Sequence, residues 1–347
     1  MTMRPALWAA LVALALAAGC TPAPKMIGSG PDVSSNVSTG AVGKIQIKSW
    51  NASTAALMAG TLPNPDVPVD AVLTLPKNPS GKVPAAIILH GISGIGAHYS
   101  QVAEMLNGMG MAALVIDSYA TRDVKAVSEA TRKSPYSYRV ADAYAGLKLL
   151  STHPAIDPNR IALIGYSAGG AVMLLSVSGQ ARRATVGDGG PRFAAYVGYY
   201  PHCAVQYRSP EAPGVPMLML LGGADNITPP QICQTYGDRL KAKGADLKVV
   251  VYPGAHHAFD LASFAGKITP YPVLPNLSKC EDRVLQIQED GGWFATWLNR
   301  SAQTAVEFGD PYAGCKSGEG SLGGPVEART KSLAELRDFL KRAVGAK

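Results

Sequence analysis

Charge is scarce in this sequence: Asp, Glu, Lys and Arg together make up 16% of the residues, against 47% hydrophobic. That balance excludes wholesale disorder, because a large apolar core can be buried. The 32 Lys and Arg exceed the 25 Asp and Glu and give a formal charge of +7, but they are scattered. No nucleic-acid motif accompanies them, so no nucleic-acid partner is expected. The excess reads as solubility, with weak attraction to an anionic membrane surface. His-Glu-x-x-His, a P-loop and the glycine fingerprint of a dinucleotide site are also missing. No metal or organic cofactor is therefore implied. No internal repeat is found.

Long hydrophobic runs are confined to the start. Arg4 precedes an apolar stretch, Ala6 to Ala18, too short to span a bilayer as a mature helix, so residues 1–20 read as a targeting leader. Its end, Leu16-Ala17-Ala18-Gly19-Cys20, resembles a bacterial lipoprotein signal, in which small residues precede a Cys that becomes the lipidated N-terminus. Ala17 stands where Leu is usual, and an ordinary secretory signal is the alternative. The resemblance implies an exported protein held to a membrane through acyl chains on Cys20, facing the periplasm or the cell exterior. Thr21 after the Cys leans towards the outer membrane.

Cysteine is sparse as well. Of five, Cys20 belongs to the leader, which leaves Cys203, Cys233, Cys280 and Cys315, an even number suited to an oxidising compartment. Three pairings are open, and Cys203–Cys233 with Cys280–Cys315 is preferred because each closes a local loop. A metal site is the rival, but no Cys-x-x-Cys spacing and no neighbouring His cluster supports it.

Residues 21–43 are rich in Pro, Gly and Ser without apolar period and read as a flexible tether. A domain over 44–347 follows. Ile45 and Ile47 alternate like a half-buried strand, and Val69–Leu75 is a second strand. From Ala85 onwards, continuous apolar runs at 85–90, 112–117, 161–166, 194–200, 217–222 and 247–252 alternate with helical patterns at 99–108, 137–151, from Ala168, and 231–243. Strands this uniformly apolar need cover on both faces, so an α/β fold with a mostly parallel central sheet and helices on both sides is expected. Residues 261–330 break the rhythm and read as an irregular insertion with one helix near Arg283 to Asn299. A final amphipathic helix is expected over Ser332–Val344.

The strongest chemical signal is Gly165-Tyr166-Ser167-Ala168-Gly169, a G-x-S-x-G between a strand and a small-residue helix. A nucleophile on so sharp a turn sits in strained backbone, and its close neighbours must be small. The helix start aims N–H groups and its positive dipole end at the oxyanion formed on attack. A serine hydroxyl also needs a base, and the base an orienting acid, in the chain order Ser, then Asp or Glu, then His. Asp225 follows the strand MLMLLG, and the pair His256-His257 follows the strand LKVVVY. A helix cap at Asp225 and a structural His pair are the competing readings, and spacing alone leaves the choice between the two histidines open.

The segments AIILHGISGIG, Ile116 to Tyr119 with Arg122, DPNRIALIGYSAGG, LGGADNITPP and VYPGAHHAFD together resemble the dienelactone hydrolase family of α/β-hydrolases. The resemblance covers about residues 65–262 and the last helix. It implies the α/β-hydrolase fold, hydrolysis of a small-molecule carboxylic ester or lactone through an acyl-enzyme on Ser167, and His257 as the catalytic histidine, two residues before Phe259. It also implies backbone N–H groups of Ile92 and Ala168 as the oxyanion hole; His90 in the same turn reads as a turn-stabilising residue rather than a catalyst. Two departures stand out: the family's namesakes carry a Cys where Ser167 stands, and a Glu where Gly91 stands. An esterase of undetermined substrate is therefore expected rather than a dienelactone hydrolase. A peptidase or amidase with the same triad, and a catalytically silent binding lipoprotein, are the alternatives. Tyr119, Arg122 and His202 follow core strands and are candidates for substrate contact. For Arg122 the competing reading is an ion pair with a neighbour, and for His202 a surface position.

Overall fold

The computed structural model describes residues 36–125, 136–297, 303–305, 312 and 314–347. The leader with Cys20 and residues 21–35 of the expected tether lie outside the described residues. Within the rest of the tether, Val37 is already buried and its N–H donates to Thr152 Oγ1 at 2.8 Å. A lone valine among Ser, Asn and Gly offers no period to read, which is why the start of packing is set too late from sequence.

In chain order the elements are β1 Gly43–Ser49, α1 Thr54–Ala59, β2 Val67–Thr74, β3 Val83–Leu89, α2 Ala97–Gly108, β4 Ala112–Asp117, α3 Ser137–Leu150, β5 Ile156–Tyr166, α4 Ala168–Leu175, α5 Gly179–Val186, β6 Ala195–Tyr199, β7 Val205–Tyr207, β8 Met217–Gly222, α6 Pro230–Ala242, β9 Leu247–Tyr252, β10 Lys267–Asn276, β11 Arg283–Ile287, β12 Trp293–Trp297, β13 Gln303–Ala305, β14 Ser317–Gly324 and α7 Val326–Val344. The main sheet runs β1-β2-β4-β3-β5-β6-β8-β9. All neighbours from β4 to β9 pair in parallel, and β2 alone runs antiparallel to both of its neighbours.

β3, β4, β6 and β8 are buried along their whole length, because both faces of the sheet are covered. The two-residue period divides the strands between two cores. In β3, Ala85, Ile87 and Leu89 join the side lined by α1, α3, α4 and α6, while Ala86 and Ile88 face α2 and α7. This is the expected α/β-hydrolase architecture, and it brings the C-terminal ends of β3, β5, β6, β8 and β9 to one rim.

Residues 261–330 depart from expectation. The stretch read as a helix near Arg283 to Asn299 is instead the antiparallel pair β11 and β12, extended by β13 and, in parallel, by β7. The turn joining them, Asp290-Gly291-Gly292 with Gly291 at φ 85°, is a hairpin signal lying between two β-prone runs. β10 and β14 form a separate ribbon. The last helix begins at Val326, six residues before the expected start, on a Pro-capped turn with little apolar spacing. Both disulfides join the preferred pairs, Cys203–Cys233 and Cys280–Cys315.

Candidate active site

β5 delivers Ser167 to the rim. Its φ of 53° lies in the left-handed region, a strained conformation for a side chain larger than glycine's. The strain is held by flanking hydrogen bonds: Ser167 N–H donates to Tyr199 C=O at 3.0 Å, and His202 N–H donates to Ser167 C=O at 3.2 Å. Close approach is possible because the neighbours lack side chains. A Cβ on Gly165 would stand 2.1 Å from the Gly169 carbonyl oxygen, and one on Gly169 2.3 Å from that of Leu89.

Three side chains from three strand ends meet here. His257 Nε2 lies 2.8 Å from Ser167 Oγ, and His257 Nδ1 lies 2.7 Å from Asp225 Oδ2. An ionised carboxylate only accepts, so Nδ1 carries the proton and Nε2 turns its lone pair to the serine hydroxyl. Asp225 is fixed in turn by N–H donors from Ile227 and Thr228, each at 2.8 Å, and by the Thr228 hydroxyl at 2.8 Å. Both Asp225 and His257 are buried, which strengthens the coupling by excluding water. His256 takes a different place: its Nδ1 lies 2.7 Å from Ser321 Oγ, and its N–H donates to the Gly323 carbonyl, tying the His turn to β14.

The turn after β3 abuts Ser167. A Cβ on Gly91 would meet Ser167 Cβ at 3.4 Å, so a larger side chain at this position would crowd the serine. Gly91 N–H donates to Tyr99 Oη at 2.7 Å. His90, fully buried, takes the Ser118 N–H at Nε2 (3.3 Å) and donates from Nδ1 to the Gly91 carbonyl (2.6 Å). Burial and the nearby Arg139 push the His90 pKa well below its ordinary value, so it is a neutral brace of the turn. Ile92 is the next residue. Ala168 opens α4, where an N–H has no partner within the helix. Ile92 and Ala258 pack against the apolar cluster of Ile227, Leu274 and Leu322, which joins the β10–β14 ribbon to the turns that carry Ile92, Asp225 and His257.

The remaining candidates separate. Arg122 has no free donor to offer a substrate. All five of its N–H groups are spent, on Asn51 Oδ1, the carbonyls of Ser118 and Trp50, and both carboxylate oxygens of Asp142, at 2.8–3.0 Å. The ion-pair alternative is the one realised, since buried Asp142 needs the charge. Tyr119 is buried, its ring edge-on to His90 at 4.5 Å. His202 is at the site: beside its backbone bond to Ser167, its Nδ1 lies 3.0 Å from Tyr136 Oη and its Nε2 contacts Tyr312 Oη. Burial and the neighbouring His257 lower its pKa to about 4, so it is neutral. Tyr200 and Asp260, both buried beside His257, were not singled out from sequence. The Asp of HHAFD was visible, but nothing in the pattern says which tyrosine it meets. Among the described residues no three His, Cys, Asp or Glu side chains gather as a metal site would need.

The model of the dienelactone hydrolase family matches residues 69–267. A Bradyrhizobium protein named "Probable 2-oxo-3-(5-oxofuran-2-ylidene)propanoate lactonase" is 24% identical over 193 residues, 52% of this chain and 75% of that one. A protein of Escherichia coli (strain K12), provisionally named a carboxymethylenebutenolidase, is 25% identical over 224 residues, 59% of this chain and 79% of that one. Among solved structures, a dienelactone hydrolase-like promiscuous phosphotriesterase from metagenomic libraries superposes with a TM-score of 0.54 at 17% identity, covering 88% of this chain and 100% of that one, a likeness of fold.

Proposed function

The chain belongs to the dienelactone hydrolase family and is a carboxylic ester hydrolase, and from that premise we propose that it cleaves small-molecule esters or lactones through an acyl-enzyme on Ser167. The observation that carries the reading is the unbroken chain of contacts from Ser167 Oγ through His257 to Asp225, at 2.8 and 2.7 Å, on a serine with φ 53°.

In this mechanism His257 Nε2 takes the hydroxyl proton as Oγ attacks the carbonyl carbon, and Asp225 stabilises the imidazolium. The N–H groups of Ile92 and Ala168 receive the oxyanion, each such donor being worth about 3 kcal/mol of transition-state stabilisation. Nε2 returns the proton to the leaving oxygen. An alcohol departs from an ester, while with a lactone the new hydroxyl stays on the acyl chain. Water then attacks the acyl-enzyme, giving its proton to Nε2, and the acid leaves as Ser167 is restored.

Gly91 supports general esterase action over the chemistry of the Cys-dependent namesakes. A carboxylate there would sit against Ser167, and a serine activated by His257 has no thiol to hold. Turnover of short-chain p-nitrophenyl esters by the protein and by Ser167→Ala tests the proposal. The variant should lose at least about 10⁴-fold in kcat. Equal rates would refute it. A peptide panel run alongside separates an amidase from an esterase.

We also propose that Cys20 is lipidated after export, on the leader pattern and on the two disulfides, which suit an oxidising compartment. Metabolic labelling with an alkyne fatty acid should mark the protein and not Cys20→Ala. Equal labelling of both would refute the anchor.

A further inference from the structure

His257 is held at its edge by Asp225, and a second ring stands close against its own. The Tyr200 ring lies 4.5 Å from the His257 ring, centroid to centroid, with the two planes tilted by 58°. We propose that Tyr200 and Asp260 form a positioning pair for His257: Tyr200 sets its tilted ring against the imidazole, and Asp260 holds and polarises that ring. Together they support the imidazolium formed during proton transfer from a side that Asp225 does not reach. The inference rests on His257 acting as the general base.

Tyr200 is not a passive packing residue. Its φ of 36° is positive, a costly conformation for a bulky side chain, which persists only where the surroundings over-determine it. Three anchors do so. Tyr200 N–H donates to Leu220 C=O at 2.8 Å, Tyr200 C=O lies 3.2 Å from Thr228 Oγ1, and Tyr200 Oη donates to Asp260 Oδ1 at 2.7 Å. Thr228 Oγ1 also lies 3.1 Å from His257 Nδ1 and 2.8 Å from Asp225 Oδ2, so one hydroxyl ties Tyr200 to the acid and base together. A phenol donating to a carboxylate gains electron density in its ring, and an electron-rich ring face attracts a cation.

Asp260 carries a cost that packing alone does not explain. It is buried, and burial pushes its pKa up to about 6, with the Tyr200 hydrogen bond and His257 pulling the other way. An amide of the same shape would accept the Tyr200 hydroxyl without that cost, so the ionised group serves something besides shape. Its charge is felt by Tyr200, Tyr199, Tyr166 and Tyr99, and Arg329 of α7 favours its ionised form. Among the described residues, the ionisable groups that act on His257 or contact its ring are Asp225, Asp260, Tyr200 and the neutral His202.

The sign of the charge effect separates this role from a structural one. Removing a negative charge near His257 disfavours its protonated form, so the acid limb of kcat/KM should move to lower pH. Less support for the imidazolium should also lower the alkaline plateau. Stability should move the opposite way. Because the folded-state pKa of Asp260 is raised, folding binds its proton, and stability is lost as pH rises from about 4 to about 6 and stays lost above. Asp260→Asn should therefore melt no lower, and should melt higher, than the parent at pH 8.

The test measures p-nitrophenyl ester kcat/KM between about pH 5 and pH 9, and melting at pH 8, for the parent, Asp260→Asn, Tyr200→Phe and Tyr200→Leu, with Ser167→Ala as the blank. Asp260→Asn is expected to shift the acid limb down by roughly half a unit and lower the plateau about 3- to 30-fold while its melting temperature holds or rises. Tyr200→Phe should shift the limb the same way and less. Tyr200→Leu should lower the plateau most. An acid limb of Asp260→Asn that coincides with the parent's, beside a dead Ser167→Ala, overturns the pair and leaves the serine mechanism standing. A Ser167→Ala protein as active as the parent overturns both.

Discussion

A single added methyl group at Gly165 tests whether nucleophile geometry sets the rate. In Gly165→Ala the new carbon would lie 2.1 Å from the Gly169 carbonyl oxygen and 2.8 Å from the Gly170 amide nitrogen. Carbon and carbonyl oxygen rest at about 3.3 Å or more, so roughly 1 Å must open between β5 and the first turn of α4. Both opposing atoms are main chain and give way only if the helix moves. That helix turn carries the Ala168 N–H, and Ser167 lies between the two moving parts. A misplacement of about 1 Å costs on the order of 100-fold, or about 2.7 kcal/mol in the barrier. The expected result is a fall of about 100-fold in kcat/KM on p-nitrophenyl butyrate and a comparable slowing of fluorophosphonate labelling. Overpacking should also cost about 1–3 kcal/mol of stability. Gly91→Ala is the comparison, because its methyl would meet Ser167 Cβ at 3.4 Å, close to ordinary contact. It should lose less than about tenfold. Parent-like activity in Gly165→Ala, or an equal loss in both variants, would refute the reasoning.

Arg122→Met should leave Asp142 buried with no ion-pair partner and destabilise the protein by about 3–5 kcal/mol, read by chemical denaturation. Its ratio of activity on acidic over neutral esters should stay as in the parent, whereas a selective loss on acidic esters would return Arg122 to the substrate site. Replacing Cys203 and Cys233 by Ala opens a loop whose ends lie 30 residues apart, for an expected loss of about 3 kcal/mol by the same method. Unchanged stability would mean that the bridge does not restrain the unfolded chain.

The central fold was legible because its strands are apolar without alternation. Runs such as AAIILH and MLMLLG have no polar face to expose, so cover on both sides and a parallel sheet follow from composition alone. The contact set Ser167, Asp225 and His257 was legible because each residue follows such a strand, and strand ends collect at one rim. His257 over His256 was not legible from spacing. It took the resemblance, and the structure separates the two by what each ring touches, Ser167 against Ser321. In the insertion, Arg283 to Ile287 offers apolar residues in short reach, a pattern that helix and strand share, and only the Asp-Gly-Gly turn decides for the hairpin. Arg122 shows a different limit. Its partner Asp142 lies 20 residues on, and only folding reveals that both oxygens of that carboxylate are engaged by the one guanidinium. Asp260 and Tyr200 likewise meet only in three dimensions, 60 residues apart.

Whether Ser167 carries the acyl group is tested most directly by mass spectrometry of the protein trapped with a fluorophosphonate or a slowly deacylating ester. A single adduct on the peptide containing Ser167, absent from Ser167→Ala and strongly reduced in His257→Ala, is the expected result. An adduct on another residue, or ester turnover that continues unchanged in Ser167→Ala, would contradict it.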